Sequence, residues 1–294
     1  MQSHPDLGPP GELAHGDFEM IVRRLADDLA FGTDTSAFVG SGLEYAQSRP
    51  YQPGDSIRQM DWRLTARTGR PFVKEYEALK RTNVYLMIDT SASMSVTSVR
   101  LSKHDLAIWI GAAVGLIAQR RLSPVAIVGA GERQTRFEPS LLQSDLWQSL
   151  EPLRLGALHE HTCLGLELRS LEVKARRASV IVILSDLHDP EAMEAIRHMT
   201  LRHDVLVMHL RDPAECGGLR AGFFRGREAE TGHQFLAHGR SIWKSQDPDV
   251  DVRGIQQIVA RSGASYLSLH TDRAFIPLLR HFLSFRARVG GGRA

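Results

Sequence analysis

From residue 84 onward, short apolar runs alternate with longer stretches in which apolar residues recur at helical spacing. Turn-forming or polar residues bound each short run, which is typical of a β-strand. One run, 180–184, reads Val-Ile-Val-Ile-Leu and is apolar at every position. Such a strand is buried on both faces, as in a parallel sheet that is covered by helices. The pattern predicts an α/β, Rossmann-like fold with a mostly parallel central sheet, whose strands lie at 84–89, 124–130, 179–186, 205–209 and 266–270.

Helices are predicted before the first strand and between the strands. Apolar residues from Phe18 to Leu29 recur on one helical face, which predicts an amphipathic helix over 18–31. The longest apolar run, 106–118, is shorter than the roughly 20 residues that cross a membrane, so it predicts a buried helix. The helices that follow the first are predicted at 102–121, 140–150, 164–175, 190–203, 250–262 and 274–286.

Changes in composition indicate where the sheet domain begins. Between the first helix and residue 82, glycines and prolines are frequent, which indicates extended segments and turns with a hairpin around 68–70. Aromatic and apolar residues within 222–240 indicate a second hairpin. The predicted parts are a flexible N-terminus at 1–16, a helix plus β-hairpin extension at 17–82, the sheet domain at 83–288 with an insertion at 215–245, and a flexible tail at 289–294.

Composition narrows the classes of function. The chain has 294 residues, a formal net charge of +2 and a sequence pI of about 8.6, which is too mild a basic excess to indicate nucleic-acid binding. Its two cysteines, Cys163 and Cys216, match neither a metal-binding spacing nor a disulfide framework. The N-terminus lacks the cationic and apolar regions of a signal peptide. We therefore expect a cytoplasmic protein without direct membrane insertion.

Candidate chemistry lies at the predicted ends of two strands. Asp89 ends the first strand, with Ser91 and Ser93 following at alternate positions, and Asp186 ends the third. Thr162 precedes a predicted helix. The carboxyl ends of parallel strands meet at one edge of a sheet, where ligands bind in α/β proteins. Carboxylates and hydroxyls are the hard oxygen ligands that Mg²⁺ prefers, although the same residues also serve as simple turn and helix caps.

The order of these residues resembles the metal-ion-dependent adhesion site (MIDAS) of von Willebrand factor A (vWA) domains, which is Asp-x-Ser-x-Ser, then Thr, then Asp. The resemblance implies a vWA-like domain that binds Mg²⁺, or Mn²⁺ or Ca²⁺. It also implies that Ser91, Ser93 and Thr162 ligate the ion directly, and that Asp89 and Asp186 hold it directly or through water. Such an ion keeps free coordination positions, so an acidic side chain of a partner could replace a bound water.

The segment before the first strand carries a second resemblance. It reads Arg-Pro-Tyr-Gln-Pro-Gly-Asp at 49–55, then Arg58, Asp61 and Trp62, and Thr-Ala-Arg at 65–67. This resembles the signature of the DUF58 family, whose members carry a vWA-like domain after it. The resemblance implies a non-enzymatic role in protein–protein interaction, with a MoxR-type AAA+ ATPase and/or other vWA proteins as partners. The implied process is assembly, maturation or chaperone-like remodelling of protein complexes.

Arginines give the same segment a basic excess. Arg58, Arg63 and Arg67 are candidates for binding an acidic partner, whereas internal ion pairs and solvated faces are the simpler interpretation. Trp62 and Tyr51 are expected to pack the hairpin onto the sheet domain. The arginines therefore predict either a docking surface or a set of internal pairs.

Two other functions remain open from the residues alone. Asp89 could be the nucleophile of a Mg²⁺-dependent phosphohydrolase, although Ser91 stands where dehalogenase-type enzymes carry a second Asp. The His-Glu-His stretch at 159–161, together with His188, could bind zinc. The chain has no P-loop motif, so it is not expected to be an ATPase itself. We expect a binding module without catalytic residues.

Overall fold

The computed structural model describes residues 18–30, 43–78, 82–133, 135–154, 160–213, 215, 223–227, 234–238 and 248–289. The flexible N-terminus expected at 1–16 lies outside the described residues, as does the tail expected at 289–294 except for Val289, which is the last residue of a helix. His159, of the alternative zinc site, also lies outside them. Structural statements below concern the described residues.

Strands and helices alternate after an N-terminal helix and a pair of strands. The strands are β1 (Leu43–Pro50), β2 (Phe72–Ala78), β3 (Val84–Ile88), β4 (Val125–Gly129), β5 (Val180–Ser185), β6 (Asp204–Arg211), β7 (Phe223–Arg227), β8 (Gln234–His238) and β9 (Ser265–His270). The helices are α1 (Phe18–Ala30), α2 (Trp62–Thr68), α3 (Lys103–Arg120), α4 (Gln143–Arg154), α5 (Leu164–Lys174), α6 (Ala192–Met199), α7 (Pro248–Arg261) and α8 (Ile276–Val289). Two short 3-10 helices lie at Ile57–Gln59 and Ala92–Ser95. The strands and helices predicted for the sheet domain are confirmed within a few residues of their predicted bounds.

Five of the strands form a parallel sheet in the spatial order β4-β3-β5-β6-β9. Almost every residue of β3, β5 and β6 is buried, because helices cover both faces of the sheet. Helices α1, α3, α4 and α8 contribute to the apolar core on one face, and α5, α6 and α7 contribute to the core on the other. The predicted α/β class with helices on both faces is therefore confirmed.

The order of the strands creates a switch point beside β3. From β3 the chain crosses to β4 on one side, and it then returns to β5 on the other side. The loops that leave β3 and β5 therefore diverge at the carboxyl edge of the sheet, where ligands bind in such folds. Because Ile88 pairs with Leu184, the residues that follow β3 and β5 lie side by side.

Helix α3 is the central helix of one face. Its first turn is held by a capping box, in which Ser102 and Asp105 each accept a hydrogen bond from the backbone N–H of the other. Most of its residues are buried, because the sheet, α1 and α4 all pack against it. The apolar run 106–118 is therefore a buried helix, as predicted. No helix in the described part of the chain is both long and apolar enough to cross a membrane.

The N-terminal extension differs from its prediction in how its strands are joined. β1 and β2 pair antiparallel, so the predicted hairpin exists. Residues 51–71, which include α2, join the two strands, and the tight turn expected at 68–70 is wrong. Asp61 starts α2 by accepting a hydrogen bond from the backbone N–H of Leu64, and Gly69 ends it with a φ of 69°. The glycine that suggested a hairpin turn is therefore a helix cap.

Of two predictions that rested on aromatic residues, one is wrong and the other is confirmed. The expected packing of Trp62 onto the sheet domain is wrong, since this residue is 64% exposed and α2 has no buried residue. Trp62 directly follows Asp61, the N-cap of α2, so the start of this helix sets its position and its hydrophobicity does not. The second hairpin is confirmed, because β7 and β8 pair antiparallel within the segment that its aromatic residues indicated.

Leu168 and Leu166 lie on the same helix, α5, but differ in burial, so substitutions at the two positions test which face of α5 is packed. Leu168 is fully buried in the core, whereas Leu166 is 53% exposed. We expect Leu168→Ala to lower the free energy of unfolding by about 2–5 kcal/mol, because it removes buried methyl groups and leaves a cavity. Leu166→Ala should change it by less than about 0.5 kcal/mol. Urea unfolding of both variants measures the difference, and equal losses would contradict the described burial.

Candidate metal centre

Asp89 lies at the carboxyl end of β3, beside the switch point. It is fully buried, and its backbone N–H donates to the carbonyl oxygen of Leu184 at 3.0 Å. Its Oδ1 accepts a hydrogen bond from the backbone N–H of Ser91 at 3.0 Å, and its Oδ2 accepts one from the hydroxyl of Ser185 at 2.6 Å. These bonds fix the orientation of the carboxylate.

The turn after Asp89 brings the two predicted serines together. The Oγ atoms of Ser91 and Ser93 lie 3.0 Å apart. A distant segment holds the turn in place, because the backbone N–H of Ala92 donates to the carbonyl oxygen of Glu160 at 2.8 Å. The Ser-x-Ser spacing therefore places both hydroxyls within hydrogen-bond distance of each other.

Thr162 reaches the same place from the segment between α4 and α5. Its hydroxyl donates to Oδ2 of Asp89 at 3.4 Å. A backbone bridge joins Thr162 to Gly131, and the backbone N–H of Cys163 donates to the carbonyl oxygen of Ala130 at 3.0 Å. This segment is therefore tied to the end of β4. Cys163 rather than Thr162 occupies the N-cap of α5, so helix capping does not explain the position of Thr162.

Asp186 follows β5 and is almost completely buried. Its Oδ2 lies 2.7 Å from Nζ of Lys103 and 3.0 Å from Nδ1 of His188. Its Oδ1 is also buried but has no hydrogen-bond partner among the described residues. A buried polar atom without a partner is costly, and a bound cation or its water would satisfy this oxygen.

Two charged residues of this edge were not predicted. Lys103 is fully buried and pairs with both Asp186 and Glu215. One ligand atom each of Asp186, His188 and Glu215 lies within 4.8 Å of the others. A lysine before an apolar helix is usually a solvated residue, and Glu215 lies in a segment without strand or helix periodicity. Neither position therefore carried a signal in the sequence.

A third acid, Asp212, also follows a strand of this edge. It is fully buried and accepts hydrogen bonds from the backbone N–H of Ser98 at 3.0 Å, the hydroxyl of Ser98 at 2.5 Å and the hydroxyl of Thr271 at 3.0 Å. Ser98 belongs to the loop after Ser93, and Thr271 follows β9. Asp212 therefore ties the loop of the candidate site to β6 and β9. Asp89 and Asp186 were identified because each ends a predicted strand. The same criterion would have identified Asp212 if β6, predicted at 205–209, had been predicted to extend to Arg211.

The charges at this edge shift the pKa values of its members. Burial, together with the negative charge of Asp186, raises the pKa of Asp89 to about 6. Burial also disfavours the Asp186 carboxylate, but hydrogen bonds and positive charge from His188 and Lys103 outweigh it and hold the pKa of Asp186 well below its usual value. Burial disfavours the Lys103 ammonium as well, yet the charges of Asp186 and Glu215 raise the pKa of Lys103. Lys103 and Asp186 therefore form a charged pair at neutral pH.

The structure brings the predicted ligands to one edge of the sheet. Asp89, Ser91, Ser93 and Thr162 form one hydrogen-bonded group, and Asp186 follows the adjacent strand. These carboxylate and hydroxyl oxygens are a donor set that suits Mg²⁺, and the unpartnered Oδ1 of Asp186 is consistent with it. That they hold an ion stays a prediction.

Residues 47–241 match the family model described as "Protein of unknown function DUF58". The match covers more than half of the chain and includes every predicted ligand. The chain belongs to the DUF58 family. The resemblance of the 49–67 segment to this family is therefore confirmed, and the family description states no function.

Three proteins that are similar to this DUF58 chain are each described as uncharacterized. Proteins of Mycobacterium bovis and Mycobacterium tuberculosis are each 28% identical to it over 297 residues, which cover 92% of this chain and 88% of theirs. YeaD of Bacillus subtilis is 35% identical over 74 residues, which cover 24% of this chain and 19% of its own. The crystal structure of an uncharacterized membrane spanning protein from Vibrio fischeri covers 71% of this chain and 99% of that chain. The sequence identity is 14% and the TM-score is 0.20, so this similarity is too low to support an inference about the chain.

The alternative zinc site of the DUF58 chain is not assembled by the described residues. The carboxylate of Glu160 pairs with Arg133, and His161 is exposed. His188 contacts Asp186 instead. The potential metal-ligating group found in the described part of the chain contains His188 but neither Glu160 nor His161. The structure therefore gives this alternative no support.

We expect Asp89→Asn to stabilise the metal-free DUF58 protein at high pH. Because burial raises the pKa of Asp89 from 3.8 to about 6, its ionised form costs stability above about pH 6. That cost disappears as the pH falls from about 6 to about 4, where the folded-state carboxylate is already protonated. The gain should be about 1–3 kcal/mol near pH 8 and close to zero near pH 4.

Unfolding in chelator over this pH range measures the effect of Asp89→Asn. Asparagine can still accept from the backbone N–H of Ser91 and can donate to the hydroxyl of Ser185. Asp272→Asn, at an exposed position, is the matched control and should show no such gain. A gain that is the same at every pH would contradict the raised pKa.

Proposed function

We propose that this chain is a non-enzymatic, metal-dependent protein–protein interaction module with a vWA-like domain. The observation that carries the proposal is the convergence of Asp89 with the hydroxyls of Ser91, Ser93 and Thr162 at the switch point of the sheet. Simple turn capping accounts for Asp89 and Ser91. It does not account for Thr162, which lies 73 residues further along the chain.

The ion of this proposal is Mg²⁺, or Mn²⁺ or Ca²⁺, held by the five predicted ligands directly or through water. When bound, it supplies a coordination position for an acidic side chain of a partner protein. The chain's own residues orient the ligands: Ser185 holds the carboxylate of Asp89, and Lys103 and His188 hold that of Asp186. Ligands fixed in this way are prepared for an ion before a partner arrives.

A phosphohydrolase with Asp89 as nucleophile is less well supported. A nucleophilic carboxylate must present an oxygen to the substrate. Asp89 is fully buried, and its two oxygens already accept hydrogen bonds from Ser91 and Ser185. Phosphatase turnover that requires Mg²⁺ and disappears in Asp89→Asn would favour the enzyme instead.

A second surface supports a role in binding a partner. We define the α2 surface as Ile57, Trp62, Arg63, Arg67 and Arg70, all of which are exposed. Arg63 and Arg67 are four residues apart on α2 and therefore lie on one face of the helix. Ile57 and Trp62 are 69% and 64% exposed, so the α2 surface presents apolar as well as basic side chains. Tryptophan and arginine are also enriched at binding hot spots.

Two acidic residues near the α2 surface are engaged elsewhere. Asp55 pairs with Arg49 at 2.8 Å. Asp61 caps α2 and also accepts a hydrogen bond from the hydroxyl of Ser48 at 2.7 Å. One of the internal ion pairs considered for this segment is therefore formed, by Arg49.

Arg63 and Arg67 have no ion-pair partner among the described residues. The side chain of Arg58, the third predicted contact, lies outside the described residues. We therefore propose that the α2 surface binds an acidic face of a MoxR-type AAA+ ATPase or of another vWA protein. The identity of that partner rests on the family resemblance.

The metal centre is tested by Asp89→Ala combined with Ser91→Ala. Because this double variant removes a carboxylate and a hydroxyl of the predicted shell, we expect it to lose Mg²⁺ and Mn²⁺ binding in titration calorimetry while its circular dichroism is unchanged. Ser95→Ala is the matched control, since Ser95 lies in the same turn but donates to the carbonyl oxygen of Ala92. A wild type that binds neither ion, with or without a partner, would remove the metal centre from the proposal.

The α2 surface is tested by Arg63→Glu combined with Arg67→Glu. Reversing two exposed charges should weaken capture of a MoxR-type ATPase from the same organism by about tenfold or more, because like charges then face each other. The matched control is Arg253→Glu with Arg261→Glu, which reverses two exposed charges on α7. Equal capture by both double variants would exclude the α2 surface. Repeating the capture in chelator shows whether binding also needs the metal centre.

A further inference from the structure

Lys103 lies in an unusual environment for a lysine. Its side chain is fully buried, although lysine is almost never fully buried unless it is paired. It is also the first residue of α3, and a positive charge is unfavourable at the N-terminus of a helix. Both features cost free energy, so its partners must account for its position.

The partners of Lys103 are residues that could themselves hold a metal. Its Nζ lies 2.7 Å from Oδ2 of Asp186 and pairs with the carboxylate of Glu215. Nδ1 of His188 lies 3.0 Å from the same Asp186 oxygen. We call Asp186, His188 and Glu215 the Asp186 triad, since one ligand atom of each lies within 4.8 Å of the others. The ammonium group therefore contacts two members of this triad.

We propose that Lys103 is a built-in counter-cation that keeps divalent ions out of the Asp186 triad and confines the ion to the shell of the five predicted ligands. Asp186 belongs to that shell through its unpartnered Oδ1, whereas its Oδ2 is held by Lys103 and His188. This inference rests on the proposed function, because it concerns the same metal centre, and it adds the metal preference of that centre. Two carboxylates and an imidazole suit Zn²⁺, whereas carboxylate and hydroxyl oxygens suit Mg²⁺. With Lys103 in place, the oxygen shell is the one open to an ion.

The charges at this edge agree with such a role. When they are ionised, Asp89, Asp186 and Glu215 carry three negative charges, and Lys103 cancels one of them. A single divalent ion balances the two that remain when His188 is neutral, whereas a protonated His188 cancels a further one. The charge of Asp212, which follows β6, is offset by its hydrogen bonds from Ser98 and Thr271. Without Lys103, the first three carboxylates would attract a divalent ion more strongly, since charges a few ångströms apart interact strongly in a partly buried site. The triad would then also be free of the ammonium group.

A purely structural role for Lys103 leads to a different expectation. A lysine that only neutralises the buried Asp186 would, when removed, lower stability without changing which ion binds. A lysine that excludes ions from the triad would, when removed, change the preference between Zn²⁺ and Mg²⁺. Metal preference therefore separates the two roles.

The test compares Lys103→Met with Lys174→Met in the untagged full chain. Methionine removes the charge but keeps a long side chain, and Lys174 is an exposed lysine in the last turn of α5. Titration calorimetry measures the Zn²⁺ and Mg²⁺ affinities, and thermal unfolding with and without each ion reports binding independently. We expect Lys103→Met to raise the affinity for Zn²⁺ by about tenfold or more. Lys174→Met should leave both affinities unchanged.

A second substitution tests whether the gain in Zn²⁺ affinity comes from the Asp186 triad. Adding Glu215→Gln to Lys103→Met removes one ligand charge and should return the Zn²⁺ affinity to near that of the wild type. If Lys103→Met does not fold, Glu215→Gln alone remains informative. It makes the centre less negative while Lys103 stays in place, so Mg²⁺ binding should weaken by about threefold or more. Unchanged Mg²⁺ affinity in that variant would count against the proposal.

The possible outcomes distinguish this inference from the proposed function. A folded Lys103→Met that binds both ions as the wild type does, or whose affinity for Zn²⁺ does not rise, overturns the role of Lys103 and leaves the proposed function standing. If the wild type binds neither ion while Lys103→Met binds Zn²⁺, the counter-cation is supported and the metal-dependent function fails. If no variant binds either ion, both fail.

Discussion

Burial of the central sheet on both faces is the constraint on which the rest of the structure depends. Because β3, β5 and β6 have almost no solvent-exposed residues, polar side chains are accommodated where these strands end. All three strands are followed by an aspartate, and parallel pairing brings Asp89, Asp186 and Asp212 to one edge. The candidate site is therefore a consequence of strand burial as much as of the chemistry of its residues.

Three carboxylates at a buried edge would be unfavourable without compensation, and each is compensated differently. Asp212 accepts hydrogen bonds from Ser98 and Thr271, and Asp186 is paired with the ammonium group of Lys103. Asp89 accepts hydrogen bonds from an amide and hydroxyls, and its raised pKa shows that these do not fully offset its burial. A cation therefore gains most beside Asp89, where negative charge is least neutralised.

Sequence patterns predicted structure well where burial alone decides it, as in the apolar runs of β5 and α3. They failed for α2, whose bounds are set by its capping residues Asp61 and Gly69. This helix is too short to show hydrophobic periodicity, and Trp62 in its first turn is exposed. The convergence of the candidate-site loops was predicted because the carboxyl ends of parallel strands meet at one edge of a sheet. Lys103 and Glu215 could not be predicted, because a buried lysine is recognised only through partners that are distant in sequence.

The hydrogen bonds of Asp212 have a mechanical consequence. Its carboxylate holds Ser98, in the loop after Ser93, and Thr271, in the segment that leads from β9 to α8. A displacement of α8 would therefore pull on that loop through one buried side chain, in addition to disturbing the core residues that α8 contributes. Hydrogen bonds tolerate only small changes in length, so the two segments either shift together or separate abruptly. Movement of α8 is thus mechanically coupled, through Asp212, to the loop beside the carboxyl edge of the sheet.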